Sequence, residues 1–423
     1  MNFYIYTLGC KVNSYESNVM RDKLINAGYK ETDINEADIF IINTCTVTNT
    51  SDNKSLKMIR QVLRNYENSI VVAVGCMTQV NYNLLKDLNV SIILGNTGKS
   101  NIVEYINKYK TTGKPIIDVK DIMDKPFEDM CLNNFNKTRA YVKIEDGCEN
   151  YCSYCIIPFA RGKVRSKRPE IVLKEISDLV KDGHKEIVLT GIHTGHYGAD
   201  LDNYSFSKLL IEIEKIEGLN RLRISSIEIT ELDDEFLNVL KNSKILVDHM
   251  HIPIQSGSDS VLKNMNRKYD KNYFIKKIEQ IRRIRPNISI TTDLIVGFPG
   301  ETKDNFNETI DTINKIGFSK IHVFPFSLRK GTKAEELPNH IDDVTKKERV
   351  REILELSKKL EIEYFSKFLD SDIYFLPEIY KEGYVIGHTD NYLLVKKEGT
   401  VKDLNEIKKV KIKKIEYPYC IGQ

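Results

Sequence analysis

The sequence predicts an α/β protein of three regions: a doubly wound parallel sheet, a partial six-fold β/α barrel of the TIM type, and a small antiparallel β-barrel. Two changes of pattern along the 423 residues support this division. Strand-like and helix-like segments alternate up to about residue 369, with one polar interruption near residue 130. Beyond residue 369, apolar and polar residues alternate with a period of two, which is typical of half-buried strands.

The first region, residues 1–122, contains short apolar runs such as "FYIYTLG", "DIFIINT" and "SIVVAVG". Helical patterns lie between them, for example at Ser14–Ala27 and Asn53–Arg64. Such alternation predicts a parallel sheet covered by helices on both faces. Asn13, followed three positions later by Glu16, indicates a capping box at the start of the first helix. The polar stretch 123–138 has no clear period and is interpreted as a linker.

The second region, residues 139–369, repeats the strand–helix alternation six times. The predicted strands are Ala140–Ile144, Glu186–Thr190, Arg221–Ser226, Met250–Ile254, Ile288–Val296 and Lys320–Pro325. Amphipathic helices follow, among them Pro169–Lys181, Phe206–Ile216 and Asp304–Ile316, and a long charged helix closes the region at about Lys346–Phe368. Six β/α units predict a barrel related to the eightfold one but incomplete.

The third region, residues 370–423, predicts an antiparallel barrel of about five strands, similar to an OB-fold. One of its runs, "KKVKIKK", places lysines at 408, 409, 411, 413 and 414. Two interpretations stay open for this run. It is either a strand with one solvated face or a strand whose lysines contact a phosphate backbone.

Composition sets limits on the class of protein. The formal net charge is +3, so charge has to be interpreted locally. No apolar stretch approaches the 18 residues of a membrane-spanning helix, and the first residues carry no secretory signal. We therefore expect a cytoplasmic protein without a membrane partner. Eight cysteines in a reducing compartment favour metal or redox chemistry over disulfides.

Three cysteines, Cys148, Cys152 and Cys155, lie close together in "GCENYCSYCIIPFARG", just after the first barrel strand. A structural zinc site needs a fourth cysteine or histidine, and none follows at a suitable spacing. Three thiolates on one loop instead suit a [4Fe–4S] cluster with one iron open to a substrate or cofactor.

Three further cysteines, Cys10, Cys45 and Cys76, each follow a predicted strand of the first region. The ends of parallel strands lie along one edge of a sheet, where ligands of open α/β folds bind, so the three thiols are expected to converge. The alternative is three buried cysteines that behave as small apolar residues. Cys131 and Cys420 receive no predicted role.

The spacing at 148–155, with the aromatic Tyr154 before the last cysteine, resembles the signature of the radical S-adenosylmethionine superfamily. That resemblance implies that S-adenosylmethionine chelates the open iron and yields a 5′-deoxyadenosyl radical. Tyr154 and segments that end the barrel strands are then expected to contact this cofactor: Thr190 and Gly191 its methionine part, Gln255 its ribose, and backbone at Ile295 and Gly297 its adenine. Glycine-rich turns also follow barrel strands for structural reasons alone, so this assignment depends on the cysteine motif.

Taken together, "TLGCKVNSYES", "INTCTVTN", "VAVGCMTQ", "DGCENYCSYCIIPFARG" and "TTDLIVGFPGET" resemble the methylthiotransferases over essentially the whole chain. The resemblance implies a C-terminal TRAM domain and an auxiliary [4Fe–4S] cluster on Cys10, Cys45 and Cys76. It also implies the radical-generating cluster on Cys148, Cys152 and Cys155. In this family, sulfur and a methyl group are added to an unactivated carbon of the substrate.

The first two of these segments are most similar to the branch that acts on transfer RNA with N6-threonylcarbamoyladenosine at position 37. Two sister branches act on isopentenyladenosine in transfer RNA and on a ribosomal-protein aspartate. The predicted partners are the anticodon stem–loop and a low-potential electron donor such as flavodoxin or ferredoxin. RNA contacts are predicted for the "KKVKIKK" lysines and for "RGKVRSKR", with Arg161, Lys163, Arg165, Lys167 and Arg168, although a solvated loop explains the latter too.

Two rival functions follow from the same residues. A non-catalytic iron–sulfur protein that binds RNA needs the clusters but no cleavage of S-adenosylmethionine. A radical methyltransferase needs only the 148–155 motif and leaves the strand-end cysteines without a purpose.

Overall fold

The N-terminal region folds as a doubly wound parallel sheet, as predicted. The computed structural model describes residues 1–132, 135 and 137–423. The strands are β1 (Asn2–Thr7), β2 (Lys30–Glu31), β3 (Ile39–Thr44), β4 (Ile70–Gly75), β5 (Ile92–Leu94) and β6 (Ile116–Asp118), with helices α1 (Lys11–Asn26), α2 (Asn49–Asn65), α3 (Cys76–Asn81) and α4 (Ile102–Thr112). All neighbouring strands are parallel, in the order β2-β1-β3-β4-β5-β6. This order reverses between β1 and β3, the place where such sheets bind ligands.

Helix α1 begins earlier than its predicted capping box allows. The N-cap is Cys10, and no side chain caps the helix. Asn13 and Glu16 lie inside α1 and are buried. The Asn13 amide donates to the carbonyls of Leu8 and Thr44, at 2.7 and 3.0 Å, and so joins the helix to β3 instead. The predicted capping box is therefore wrong, because both side chains make long-range contacts.

The second region is an open barrel of six parallel strands. They are β7 (Arg139–Lys143), β10 (Glu186–Thr190), β11 (Arg221–Ile224), β12 (His249–His251), β13 (Ser289–Val296) and β14 (Lys320–Pro325). Two parallel triplets, β11-β10-β7 and β12-β13-β14, are joined by a single parallel bridge between Leu222 and Leu246. A short antiparallel pair, β8 (Glu145–Asp146) and β9 (Arg165–Ser166), flanks the 148–155 cysteine loop.

Helices cover the outside of this barrel. They are α5 (Ile157–Arg161), α6 (Pro169–Lys181), α7 (Phe206–Ile213), α8 (Asp234–Asn242), α9 (Asp259–Asn264), α10 (Lys271–Ile284), α11 (Lys303–Ile316) and α12 (Asp343–Ser366). At the open edge, α1 packs its Tyr15 and Val19 into the barrel core, while its Met20 and Leu24 pack into the N-terminal core. One helix therefore belongs to two hydrophobic cores.

The segment 123–138, predicted as a linker, has no helix or strand in its described part, and residues 133, 134 and 136 lie outside the described residues. It is not a free spacer, because Met130, Leu132 and Phe135 are buried in the barrel core. The Tyr15 hydroxyl donates to the Met130 carbonyl at 2.8 Å, which ties this segment to α1.

The C-terminal region is a closed five-stranded barrel. Its strands are β15 (Asp372–Lys381), β16 (Tyr384–Thr389), β17 (Leu394–Glu398), β18 (Lys408–Glu416) and β19 (Tyr419–Gly422). They close in the order β15-β16-β17-β19-β18, and the pair β17–β19 is parallel. The purely antiparallel prediction is therefore wrong at one pair, because β19 inserts between β17 and β18. Tyr364 and Phe365 of α12 pack into the core of this barrel.

No helix in the described part of the chain is long and apolar enough to cross a membrane.

Candidate functional site

The three strand-end cysteines of the N-terminal region converge at one edge of the sheet. Cys10 follows β1, Cys45 follows β3, and Cys76 begins α3 directly after β4. Burial and the neighbouring thiols of Cys76 and Cys10 raise the pKa of Cys45 to about 11. Cys10 also has the Cys76 thiol as an electrostatic neighbour. The predicted convergence is thus present; the role of these thiols as ligands stays a prediction.

Gly9 permits this close approach. Its backbone φ of +99° lies in the region that favours glycine. A Cβ atom at position 9 would lie 2.8 Å from both Cβ and Sγ of Cys45. The turn after β1 can therefore carry Cys10 past Cys45 only if position 9 has no side chain.

The second cysteine set lies on the loop between β8 and α5. Burial raises the pKa of Cys148 well above its usual range, and raises that of Cys155 to about 12, with Cys152 as a further cause. The backbone folds tightly here, because the Cys155 amide donates to the Cys152 carbonyl at 3.0 Å. Arg267, which is also buried, donates from its guanidinium to the Cys152 sulfur at 3.2 Å.

Neither set is compact enough for one zinc ion. With Zn–S bonds of about 2.3 Å, tetrahedral zinc needs sulfur atoms within about 4 Å of one another. Across the described residues, one group of histidine, cysteine or carboxylate ligand atoms has all separations within 4.8 Å, and it contains no cysteine. Each set is nevertheless a group of electrostatic neighbours. Among the residues that the structure describes, no fourth protein donor completes a compact site at either set, so three thiols remain for a larger iron–sulfur cluster.

A cavity of 230 Å³ lies beside the second cysteine set. Its lining includes Tyr154 and Cys155 of the cysteine loop, and Val47 and Thr48 just beyond Cys45. The remaining lining comes from Ile156, Ile157, Gln255, Asp293, Ile295 and the segment 324–327. One cavity therefore borders both the N-terminal domain and the cysteine loop of the barrel.

Three of the six residues predicted to bind the cofactor line this cavity, namely Tyr154, Gln255 and Ile295. Gln255 has a φ of +64°, and such backbone strain in a non-glycine residue is often found at ligand sites. Three cavities of larger volume, 670, 660 and 320 Å³, contain no cysteine in their linings.

The other three predicted cofactor residues lie outside the cavity lining. Thr190 is buried at the end of β10. The position of a Cβ on Gly191 is taken by Glu145, whose carboxylate accepts the amides of Ile192 and His193 at 2.8 and 2.7 Å. The Gly297 amide donates to the Glu301 carboxylate and is not free to contact an adenine.

Arg161 is buried between the two cysteine sets. Its guanidinium donates from Nη1 to Glu16 at 2.7 Å and to Asp146 at 3.1 Å, and from Nη2 to Asn13 at 2.8 Å. Its Nε donates to the Cys76 sulfur at 3.3 Å. The side chain has no exposed surface, so the prediction that Arg161 contacts RNA is wrong.

More cationic than anionic side chains surround this position. Four buried cations face two buried carboxylates: Lys99, Lys143, Arg161 and Arg165, against Glu16 and Asp146. Burial opposes ionisation of Glu16, yet Arg161, Lys143 and Lys99 together hold its pKa well below the usual range. Burial also raises the pKa of the nearby Glu145 well above its usual range, which opposes a further negative charge there. The larger number of cationic side chains suits an anionic group at the three thiols.

The remaining cations of "RGKVRSKR" divide between interior and surface. Arg165 is buried beside Asp146, and the buried Lys167 pairs with Glu175, so both predicted RNA contacts are wrong. Lys163 and Arg168 are exposed, where they pair with Asp124 and Glu170. A run of alternating cations gives no sign of which side chains the fold buries.

The "KKVKIKK" lysines lie on β18. Val410 and Ile412 point into the barrel core, whereas Lys409, Lys413 and Lys414 are exposed. Surface carboxylates pair with four of these lysines, at positions 408, 409, 413 and 414. Such surface pairs contribute little to stability. Lys411 is half-buried. The exposed face is present, and its contact with RNA stays a prediction.

Two ionisable pairs beside the second cysteine set have no counterpart among the predictions. Arg267 pairs with Glu228 as well as donating to Cys152. His193, stacked on His196 with ring centroids 4.0 Å apart, contacts the buried Glu231. The signals in the sequence are the histidines at 193 and 196, which closely follow Gly191, and the arginine at 267.

Comparison with family models gives two matches. The Radical SAM superfamily matches residues 142–313, and a family described as Uncharacterized protein family UPF0004 matches residues 2–95. The first match spans most of the barrel with its cysteine loop, and the second spans all three strand-end cysteines.

Curated proteins resemble the chain over nearly its full length. A threonylcarbamoyladenosine tRNA methylthiotransferase of Bacillus subtilis is 42% identical, over 99% of this chain and 95% of the relative. One from Thermotoga maritima is 38% identical, over 97% and 94%. A tRNA-2-methylthio-N(6)-dimethylallyladenosine synthase of Clostridium tetani is 35% identical, over 97% and 94%.

Among solved structures, the radical S-adenosylmethionine methyltransferase TsrM from Kitasatospora setae matches with a TM-score of 0.59. It shares 13% sequence identity over 79% of this chain and 73% of that chain. This likeness concerns the fold alone.

Proposed function

The chain belongs to the radical S-adenosylmethionine tRNA methylthiotransferase family, and from this membership we propose that it methylthiolates carbon 2 of N6-threonylcarbamoyladenosine at position 37 of tRNA. The product is 2-methylthio-N6-threonylcarbamoyladenosine, and the enzyme is a transferase. The structural observation that carries the proposal is the single cavity bordered by both cysteine regions. A reaction that needs a radical source and a sulfur source at one carbon atom requires such a shared space.

In this proposal, the radical-generating [4Fe–4S] cluster is bound by Cys148, Cys152 and Cys155. The auxiliary cluster is bound by Cys10, Cys45 and Cys76. Tyr154, Gln255 and Ile295 contact S-adenosylmethionine. When bound, these groups supply the radical that activates the carbon, together with the sulfur and the methyl group.

The protein's own residues position these groups and control their surroundings. Arg161 and Arg267 each donate to one cysteine sulfur, a contact that stabilises negative charge on that sulfur. The pairing of Arg267 with Glu228 fixes the direction of its guanidinium. The cavity wall of Ile156, Ile295 and Phe326 is apolar and limits access of water to a reactive carbon radical.

The test of the product is mass spectrometry of tRNA nucleosides from a deletion strain and from strains complemented with variants. We expect the methylthio-threonylcarbamoyl nucleoside to vanish on deletion and to return with the wild-type gene. Complementation with Cys45→Ala should fail, whereas Cys131→Ala, at a cysteine outside both sets, should restore the nucleoside. Loss of the methylthio-isopentenyl nucleoside instead would assign the chain to the sister branch.

The cofactor content is tested on anaerobically reconstituted protein. Two clusters predict roughly eight iron and eight sulfide per chain. Replacing all three strand-end cysteines by alanine should leave roughly four of each. Release of 5′-deoxyadenosine with dithionite separates this enzyme from a non-catalytic iron–sulfur protein that binds RNA, which would release none.

We further infer a low-potential electron donor, such as flavodoxin or ferredoxin, and a cytoplasmic location. The first is tested by replacing dithionite with each reduced donor protein in the turnover assay. The second is tested by cell fractionation with antibody detection.

A further inference from the structure

Exposed aromatic side chains lie around the candidate site. Phe159 is 53% exposed, Phe324 is 45% exposed and Tyr151 is 40% exposed. Phe159 and Phe324 are the two phenylalanines among the strongly exposed large apolar residues of the described chain. Both border cavities at the candidate site. Single exposed apolar residues need no explanation, but a cluster at one opening indicates an interaction surface. We call Tyr151, Phe159 and Phe324 the aromatic rim.

The aromatic rim continues from one cavity into the next. Phe324 lines the 230 Å³ cavity, and Phe159 lines a neighbouring cavity of 320 Å³. Ile156 lines both, so the two spaces adjoin. The exposed rings of Phe324 and Phe159 therefore border adjoining spaces.

The backbone holds Tyr151 and Phe159 in their outward positions. Their ring centroids are 6.5 Å apart, with ring planes at 75°. Tyr151 has a φ of +46°, and its carbonyl accepts from the Asn266 side chain at 2.9 Å. Phe159 lies on α5 between the buried Pro158 and Ala160. The fold thus buries the neighbours of Phe159 and leaves its ring in solvent.

A cation lies beside this apolar surface. Lys330 lines the same cavity as Phe159, is exposed, and makes no ion pair with the described residues. The neighbouring Arg329 is buried and pairs with Asp52 at 2.9 Å. Aromatic faces with one free cation are the combination that binds unpaired nucleotides, because bases stack on rings and phosphates attract lysine.

We propose that Tyr151 and Phe159 stack on unpaired bases adjacent to the target adenine of an RNA loop, while Lys330 contacts a flanking phosphate. This inference rests on the proposed function and adds the surface that splays the loop open. A base that enters the cavity leaves its neighbours unstacked, and the aromatic rim provides a surface on which they stack.

The test uses the reconstituted holoenzyme and an anticodon stem–loop RNA with threonylcarbamoyladenosine at position 37. The fluorescent base 2-aminopurine replaces the base at position 36 or 38. Stacking on an aromatic ring quenches its fluorescence, so we expect quenching when the wild-type enzyme binds. Phe159→Leu and Tyr151→Leu remove the ring and keep apolar bulk. Each should weaken binding about 5- to 150-fold and abolish quenching at one of the two positions.

Controls separate stacking from charge and from misfolding. Tyr273→Leu removes an aromatic ring of similar exposure, 41%, from the outer helix α10 and should change neither signal. Lys330→Gln should lower the slope of log affinity against log salt by about 0.7 and keep the quenching. The iron content of each variant reports whether the cysteine loop is intact. If Tyr151→Leu loses iron, the test of stacking depends on Phe159→Leu, because Phe159 lies outside that loop.

Wild-type affinity and full quenching in Phe159→Leu would overturn the inference, even if the wild-type enzyme modifies the RNA. Binding of the loop without any quenching by the wild type would overturn it equally. Failure of the proposed function gives a different result, in which the wild type neither binds nor modifies the stem–loop. A rim that instead contacts a partner protein would also leave the 2-aminopurine unquenched.

Discussion

At the scale of single residues, Arg161 shows how a motif can be assigned to the wrong surface. The sequence places it in a cationic run that resembles an RNA contact, yet the structure buries it against Glu16 and Cys76. The direction of the Arg161 side chain, at the end of α5, depends on how the barrel packs against the N-terminal sheet. No local sequence pattern indicates that contact. The convergence of Cys10, Cys45 and Cys76 was predictable because strand ends are local features of the sequence, whereas the ligand role of all six cysteines stays a prediction.

Replacing Arg161 by Gln should destabilise the protein strongly. The change leaves Glu16 and Asp146 with fewer partners in a fully buried site, a loss of about 3–5 kcal/mol. Urea unfolding measured by circular dichroism gives the free energy. Lys163→Gln, two residues away at the surface, is the matched control and should change the free energy of unfolding by less than about 0.5 kcal/mol. Equal effects of the two variants would contradict the ionic role of Arg161.

Replacing Gly9 by Ala should remove the N-terminal cluster. The added Cβ would lie 2.8 Å from the Cys45 sulfur, so the two loops must separate. We expect iron to fall from roughly eight to roughly four per reconstituted chain. Gly28→Ala has a similar backbone strain, with a φ of +85°, but meets nothing within 4 Å and should keep all its iron. If Gly9→Ala also kept all its iron, the close approach of Gly9 to Cys45 would not be required for binding the N-terminal cluster.

At the scale of elements, strand positions were predicted well and strand partners less well. The parallel sheet and the six barrel strands follow from apolar runs and the helices between them, which are local. The parallel pair β17–β19 was missed, because partner choice between distant strands depends on barrel closure. The start of α1 was missed for a similar reason, since Asn13 bonds to distant carbonyls and does not cap the helix.

The exposed face of β18 should carry a measurable share of RNA affinity. Replacing Lys409, Lys413 and Lys414 by Gln should reduce the slope of log affinity against log salt by about 0.7–0.9 for each lysine that contacts a phosphate. Filter binding of the anticodon stem–loop over a range of salt gives the slope. The same change at Lys174 and Lys181, which are exposed on α6, is the control and should leave it unchanged. If the β18 changes left the slope of log affinity against log salt unaffected, these lysines would not contact RNA and would form only a solvated face.

At the scale of the whole molecule, the C-terminal barrel is docked on the second region through an aromatic and cationic contact. Tyr392 stacks between His249 and His388, with centroid distances of 4.4 and 4.5 Å. Arg223 lies over the same ring at 4.9 Å, and Arg139 at 5.7 Å. The predicted three-region plan gave no information on this docking, because its residues are scattered over four segments of the chain.

This contact should weaken as pH falls. Burial lowers the pKa of His249 well below 6.5, and the nearby charge of Arg223 lowers it further. Burial also lowers the pKa of His388, although Glu378 opposes the shift. Both histidines therefore bind a proton less readily in the folded protein than in the unfolded chain, which binds more protons below about pH 6.5. The free energy of unfolding should be highest above that pH and then fall by up to about 1.4 kcal/mol per pH unit for each histidine.

Thermal unfolding between pH 8 and pH 5.5 measures this dependence. His249→Gln removes one titrating group and should flatten the curve. His340→Gln changes an exposed histidine outside this contact, and its free energy of unfolding should depend on pH as in the wild type. A wild-type curve with no decrease below pH 6.5 would contradict the assignment.

The place of β19 in the C-terminal barrel has a consequence for biosynthesis. This strand lies between β17 and β18 and supplies Cys420 to the interior. The barrel therefore cannot close until residues 419–422 have emerged from the ribosome, whereas the sheet and the cysteine loops can form much earlier. A chain interrupted shortly before β19 would carry both sets of thiols and lack a sealed C-terminal domain, which leaves open strand edges for chaperones and proteases to bind.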